Sequence, residues 1–238
     1  MRKATAIFIL ILLMTSCSDD AVRFSDTDQS EPTLVTIKSD TIINPALGVT
    51  PLGELYISIY ESYTAQGYGY GSSTNVAANV ESVAISDPSF SVLLNSQPYI
   101  PVSPDIVAAI KSQAINSSLY AALQATSLSE AGKQKLLQLY ENLEILKMEN
   151  MEYDAVNSYM LEYDASVSNN PGLTPNDSEI LLITSTILNN GFYAESKKRR
   201  RDRDWDLSIG HIATTTYGAD LGPADAITYS LSGKYSLL

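Results

Sequence analysis

With 238 residues, a formal net charge of −12 and 18% charged residues, the chain is long enough for one ordinary domain or two small ones. Its acidity argues against nucleic acid and anionic lipid as partners for the body of the protein. A single cysteine and a single histidine rule out an internal disulfide, a thiolate cage and any two-histidine metal centre. No metal and no cofactor is therefore expected, and the core must hold without a crosslink.

The chain opens with Met1-Arg2-Lys3, then the uncharged run "ATAIFILILLMTS". That run is shorter than the roughly 20 residues a bilayer crossing needs. Positive start, short apolar stretch and small residues before a cut form the layout of a secretory signal peptide. The small residues end at Cys17. Met14-Thr15-Ser16-Cys17 resembles a bacterial lipobox, with Met14 where leucine is usual. In that family of signals the cysteine sulfur receives a diacylglycerol, and cleavage leaves the cysteine as the acylated N-terminus. Ser18-Asp19-Asp20 resembles the surface-export signal of lipoproteins from Bacteroidota. The resemblance implies loss of residues 1–16, a membrane partner reached through the lipid on Cys17, and an outer-membrane, cell-surface location. Several acyl chains anchor a protein stably where one does not. A free thiol in a secreted protein is the alternative, as is a plain polar start for the segment after it.

Residues 17–48 are rich in Ser, Asp and Thr and read as a disordered tether with a reach of about 30 Å. Within it, "TLVTIKSDTII" (33–43) is a candidate strand against the domain that follows. From Thr50 onward a capping residue followed by proline recurs, as Thr50-Pro51, Asp87-Pro88, Ser103-Pro104 and Thr174-Pro175. Proline suits the first helical position, and the residue before it can accept from the exposed N–H groups of the first turn. Ser127-Leu-Ser-Glu130 has the spacing of a capping box. Apolar residues step by three or four after these starts: Leu52, Leu55, Tyr56, Ile59 and Tyr63; Leu136, Leu139, Tyr140, Leu143 and Leu146; Ile180, Ile183, Ile187, Leu188 and Phe192. The first stripe also alternates in the manner of a strand. Residues 104–125 predict two short helices broken near Asn116-Ser117-Ser118, and residues 151–166 another, stopped at Asn169-Asn170-Pro171-Gly172. The fold expected over 49–238 is all-α, an irregular bundle of about seven or eight short-to-medium helices.

"QGYGYGSST" (66–74) lacks the Gly-Lys-Ser/Thr of a phosphate loop and carries Ser72 where a dinucleotide fingerprint needs glycine. It reads as a loop between helices, with Tyr68 and Tyr70 as candidate stacking partners for a sugar or a protein. The carboxylates from Glu141 to Asp164 have the spread of a solvated helix face. An EF-hand from Asp164 fails at Asn169 and Pro175. His211 has no Gly-x-Ser-x-Gly elbow near it and reads as structural or solvent-facing; no catalytic residue is assigned.

Six of the 15 basic residues fall in Lys197, Lys198, Arg199, Arg200, Arg201 and Arg203. The run sits where cations complement a helix C-terminus. It also suits pairing with acidic faces, contact with an anionic ligand, or cleavage by a processing protease. After it comes a tail rich in small residues, with Trp205, Ile209, Ile212 and Tyr217 at helical spacing and Gly218, Gly222 and Pro223 as expected breaks. From "LSEAGKQKLL" onward the layout resembles uncharacterised exported proteins of Bacteroidota with bacteriocin-like tails. That resemblance implies that 197–238 is a separable basic hinge and tail. Three functional readings stay open: a non-enzymatic surface binding or interaction module for a glycan or protein, the precursor of a membrane-active or signalling peptide, and a carboxylate-dependent carbohydrate-active enzyme. Oligomeric state is not legible.

Overall fold

All four cap–proline pairs open helices. The computed structural model describes residues 50–94, 99–149, 152–198 and 207–237. The signal peptide, Cys17, Ser18, Asp19, Asp20, the tether and the strand at 33–43 lie outside the described residues, as do Arg199, Arg200, Arg201, Arg203 and Trp205.

The elements in chain order are α1 (Pro51–Ala65), a two-residue strand β1 (Gly71–Ser72), α2 (Ser73–Ser86), α3 (Pro88–Leu93), α4 (Pro104–Asn116), α5 (Leu119–Ala122), α6 (Glu130–Met148), α7 (Tyr153–Ser168), α8 (Pro175–Ser196), α9 (Ile209–Leu221), α10 (Pro223–Tyr235) and β2 (Ser236–Leu237). The protein is all-α. It has ten α-helices among the described residues, against the seven or eight expected; α2 follows the glycine-rich loop, where no helix start is read.

Thr50 Oγ1 accepts from the Gly53 N–H at 3.1 Å and Asp87 Oδ1 from Ser89 at 2.9 Å. Ser103 Oγ accepts from Ile106 at 3.4 Å and Thr174 Oγ1 from Asp177 at 3.0 Å. These bonds satisfy first-turn donors that no helix can satisfy itself. Ser127 is not the cap of α6. That position belongs to Ser129, whose Oγ accepts from the Gly132 N–H at 3.2 Å. Asp177 fixes the choice, since its carboxylate accepts both the Ser129 N–H and the Ser129 hydroxyl at 2.7 Å. Ser127 instead donates its N–H to Asp220 at 2.8 Å. Asp177 also accepts the Thr174 N–H at 3.0 Å and the Thr174 hydroxyl at 2.7 Å, so one carboxylate joins the starts of α6 and α8. Burial pushes its carboxyl up, but these four bonds outweigh burial and leave it below the ordinary range.

The ambiguous first stripe is helical. α1 buries Leu52, Leu55, Tyr56, Ile59, Tyr60 and Tyr63 on one face. Inside it lies a layer made of α8, α9 and α10. α8 packs against α1, α6, α7, α9 and α10, while α9 also packs against α4 and α10 against α2. These three helices are buried nearly all round, hydroxyls included: Thr214, Thr215, Thr216, Thr228 and Ser230 have no exposed surface. The first three donate to carbonyls one turn back, to Gly210, His211 and Ile212 at 2.8–2.9 Å. A buried polar group is tolerated when it is bonded, and here the helix itself supplies the acceptor.

Gly218 does not break the tail, contrary to expectation; it lies inside α9. A Cβ there would stand 2.5 Å from the Asp225 carbonyl oxygen, and one at Gly233 would stand 1.8 Å from Thr214 Oγ1. Both glycines are close-approach points between α9 and α10. The chain reverses at Gly222, whose φ of +148° only glycine adopts without strain, and Pro223 then opens α10. Finally, β2 runs parallel to β1, with Gly71 opposite Ser236 and Ser72 opposite Leu237. The described part of the presumed tail, 207–237, is thus central to the fold.

Candidate functional site

The last turn of α8 carries Glu195 into the interior, 1% exposed. Its Oε1 accepts from the Tyr60 hydroxyl of α1 at 2.5 Å, from Lys198 Nζ at 2.9 Å and from Lys234 Nζ of α10 at 3.3 Å. The Lys234 side chain is 4% exposed and that of Lys198 39%. A carboxylate this deep is costly to ionise alone, and the two ammonium groups offset that cost. Both cations also sit over aromatic faces: Lys198 at 5.3 Å from the Tyr60 ring centre, Lys234 at 5.9 Å from the rings of Tyr60 and Tyr235. Burial, then the bond to Glu195, drives the Tyr60 hydroxyl far above the ordinary phenol range. Burial, then neighbouring Tyr56, does the same to Tyr235. Both phenols are neutral at any physiological pH.

From this centre a chain of rings leads outward. Tyr63 stacks on Tyr235 at 4.7 Å, Tyr68 tilts against Tyr63 at 5.3 Å, and Tyr70 tilts against Tyr235 at 5.4 Å. The Tyr63 hydroxyl donates to the Gly69 carbonyl at 3.0 Å and holds the loop. Tyr70, at the outer end, is 56% exposed. The pairing of β1 with β2 ties the loop to the end of α10.

Two sequence candidates 130 residues apart are therefore brought to one place. Tyr68 and Tyr70 approach from the glycine-rich loop, Lys198 from the start of the basic run. Lys197 turns onto Tyr193, 4.2 Å from the ring centre. Sequence reasoning missed the residues that join them: Tyr60, Glu195, Lys234 and Tyr235. The signal for Tyr60 was its place one turn after Tyr56 on the α1 stripe. Glu195 stood at the end of an apolar helix, where it looked like the first residue of the polar segment after it.

The Glu195 carboxylate is held by a phenol and two ammonium groups. The outer edge sets Tyr70, more than half exposed, against the buried ring of Tyr235.

The other candidates fall elsewhere. Glu141, Glu149, Glu152, Asp154 and Glu162 are exposed on α6, α7 and the approach to α7. Asp164 turns inward and accepts from Ser185 Oγ, and burial pushes it up to about 6. Glu54 and Asp87 share the lining of a groove of about 350 Å³ with Leu55, Val92 and Leu93. Both Asp87 oxygens are engaged there, one by the Ser89 N–H and one by the Ser58 hydroxyl at 2.8 Å. His211 is buried rather than solvent-facing, with Nε2 2.9 Å from Ser230 Oγ. Ser230 has no exposed surface, so no substrate reaches the pair. Among the described residues no three His, Cys, Asp or Glu side chains are grouped to hold a metal, and no helix is long and apolar enough to cross a membrane. No protein-family model, curated protein or solved structure matches the chain.

Proposed function

We propose that this chain is a lipid-anchored exported protein that binds rather than catalyses, held at the outer membrane through the lipid on Cys17 and facing outward from the cell. Its contact face is the tyrosine edge around Tyr68 and Tyr70, and its partner is a glycan or a protein. One observation carries the binding half: an exposed ring, Tyr70, is braced from behind by Tyr235, Tyr63 and the Glu195 centre. A pre-positioned ring loses little freedom when it binds. The anchoring half rests on Met14-Thr15-Ser16-Cys17 and Ser18-Asp19-Asp20.

The two halves are tested separately. In cells fed labelled palmitate, the chain takes up label and Cys17→Ala does not; equal labelling of both overturns the anchor. On glycan and protein arrays, Tyr70→Ala loses at least about tenfold in affinity for any ligand found. A ligand that binds Tyr70→Ala as tightly as the parent protein overturns the contact face. The peptide-precursor reading has less support, because 207–237 is the buried layer of the fold and releasing it would expose the core. The enzyme reading has only the Glu54–Asp87 groove, where Asp87 is already committed as a helix cap.

A further inference from the structure

A second concave feature lies on the far side of β2. It is a cleft of about 570 Å³ between α4, the start of α9 and the final strand, a size typical of small-molecule sites. Ala114, Ile209 and Leu237 line it with apolar surface, while Gly210, Ser236 and Lys111 contribute polar groups. Leu237 is 58% exposed, so an apolar wall here faces water.

The polar end is built for an anion. Ser208 satisfies the third and fourth N–H groups of α9: its Oγ accepts from His211 at 3.2 Å and its carbonyl from Ile212 at 3.1 Å. The first two N–H groups, of Ile209 and Gly210, have no acceptor among the described residues, and both residues line the cleft. A 13-residue helix directs positive partial charge at this point. An independent observation falls in the same place. Ser236 is 2% exposed, it lines the cleft, and its hydroxyl has no partner in the protein. A buried donor left unbonded is uncommon and calls for a partner. Lys111 adds a full positive charge to the wall, with Nζ donating to the Gly233 carbonyl at 2.7 Å and to that of Ser236. No acidic side chain is among the described residues lining the cleft.

We infer that this cleft binds a small amphipathic carboxylate, an alkyl-chain monocarboxylic acid. Its two oxygens take the N–H groups of Ile209 and Gly210 and the Ser236 hydroxyl, and its chain lies along Ile209, Ala114 and Leu237. Two carboxylate oxygens match this short donor row, and the apolar walls accept the hydrocarbon. The inference is independent of the tyrosine edge and of the lipid on Cys17.

The test is calorimetric titration of the full chain with submicellar octanoate, nonanoate and decanoate, each beside the primary alcohol of equal length. Binding is expected to be saturable and to tighten about three- to fourfold per added methylene. The alcohols are expected to bind at least about tenfold more weakly. Ser236→Ala should weaken the acids by about fivefold and leave the alcohols unchanged; it removes only an unbonded hydroxyl and should fold normally. Ile209→Glu should abolish acid binding, and an acid in a first helical turn is compatible with folding. Equal affinity for acid and alcohol overturns the inference. So does undiminished acid binding by both variants, or no saturable binding by the folded parent chain.

Discussion

Buried Glu195 and half-buried Asp164 both lie along α8, and the protein treats them differently. Glu195 lies between Lys198 and Lys234 and takes the Tyr60 hydroxyl as well. Asp164, on α7, faces α8 and receives the Ser185 hydroxyl. Around it the polar groups are incompletely matched. Asn189 donates to Asn157 at 2.9 Å, but Asn189 Oδ1, Tyr163 Oη and Thr184 Oγ1 have no partner in the protein. One end of α8 is therefore closed by opposite charge, while its middle holds a carboxyl that burial discourages from ionising. Depth alone does not decide whether a charge belongs in a core; the charges and hydrogen bonds that meet it do.

The sharpest way to break this contrast is to remove a cation. Lys234→Met should strip a buried cation from Glu195 and cost about 3 kcal/mol, the low end for removing a partner from a buried charge, read as a fall in the urea midpoint at unchanged slope. Asp164→Asn should act in the opposite direction. The Asp164 carboxyl titrates at about 6 in the folded chain against 3.8 when exposed, so between pH 4 and 6 the folded state holds a proton that the unfolded state has lost. Raising pH through that window removes stability. The asparagine variant should be more stable than the parent at pH 7 by about 3 kcal/mol, and equal to it near pH 3. A constant difference across that range would show that Asp164 is not the titrating group. Tyr60→Phe, the mildest, deletes one hydroxyl from a carboxylate that keeps both lysines, and should cost about 1 kcal/mol in the same urea titration.

The outer helices were legible because each buries one face. The stripes after Pro51 and Glu130 step by three and four, and they pack as that spacing implies. The inner layer was harder. In α9 and α10 buried positions run without a gap for a turn or more, so periodicity carries no direction. Threonines there resemble surface residues until their hydroxyls are seen bonding to their own helix. Gly218 has the appearance of a breaker because the Asp225 carbonyl that needs the space belongs to the next helix. The candidate residues Tyr68, Tyr70 and Lys198 could be named in advance, but their meeting point could not. It depends on Lys234 and Tyr235, which reach them only through the three-dimensional packing of α1, α8 and α10.

The placement of the buried layer has a consequence in time. α8, α9 and α10 are synthesised after α1, α2 and α4, which pack on them. During translation the earlier helices emerge without the surfaces that complete them, and short helices without such surfaces are marginal in water. The closing contact, Gly71 with Ser236, joins positions 165 residues apart. Folding of the earlier helices therefore awaits α9 and α10, and a nascent chain halted before α9 is expected to remain open to proteases across α1, α2 and α4.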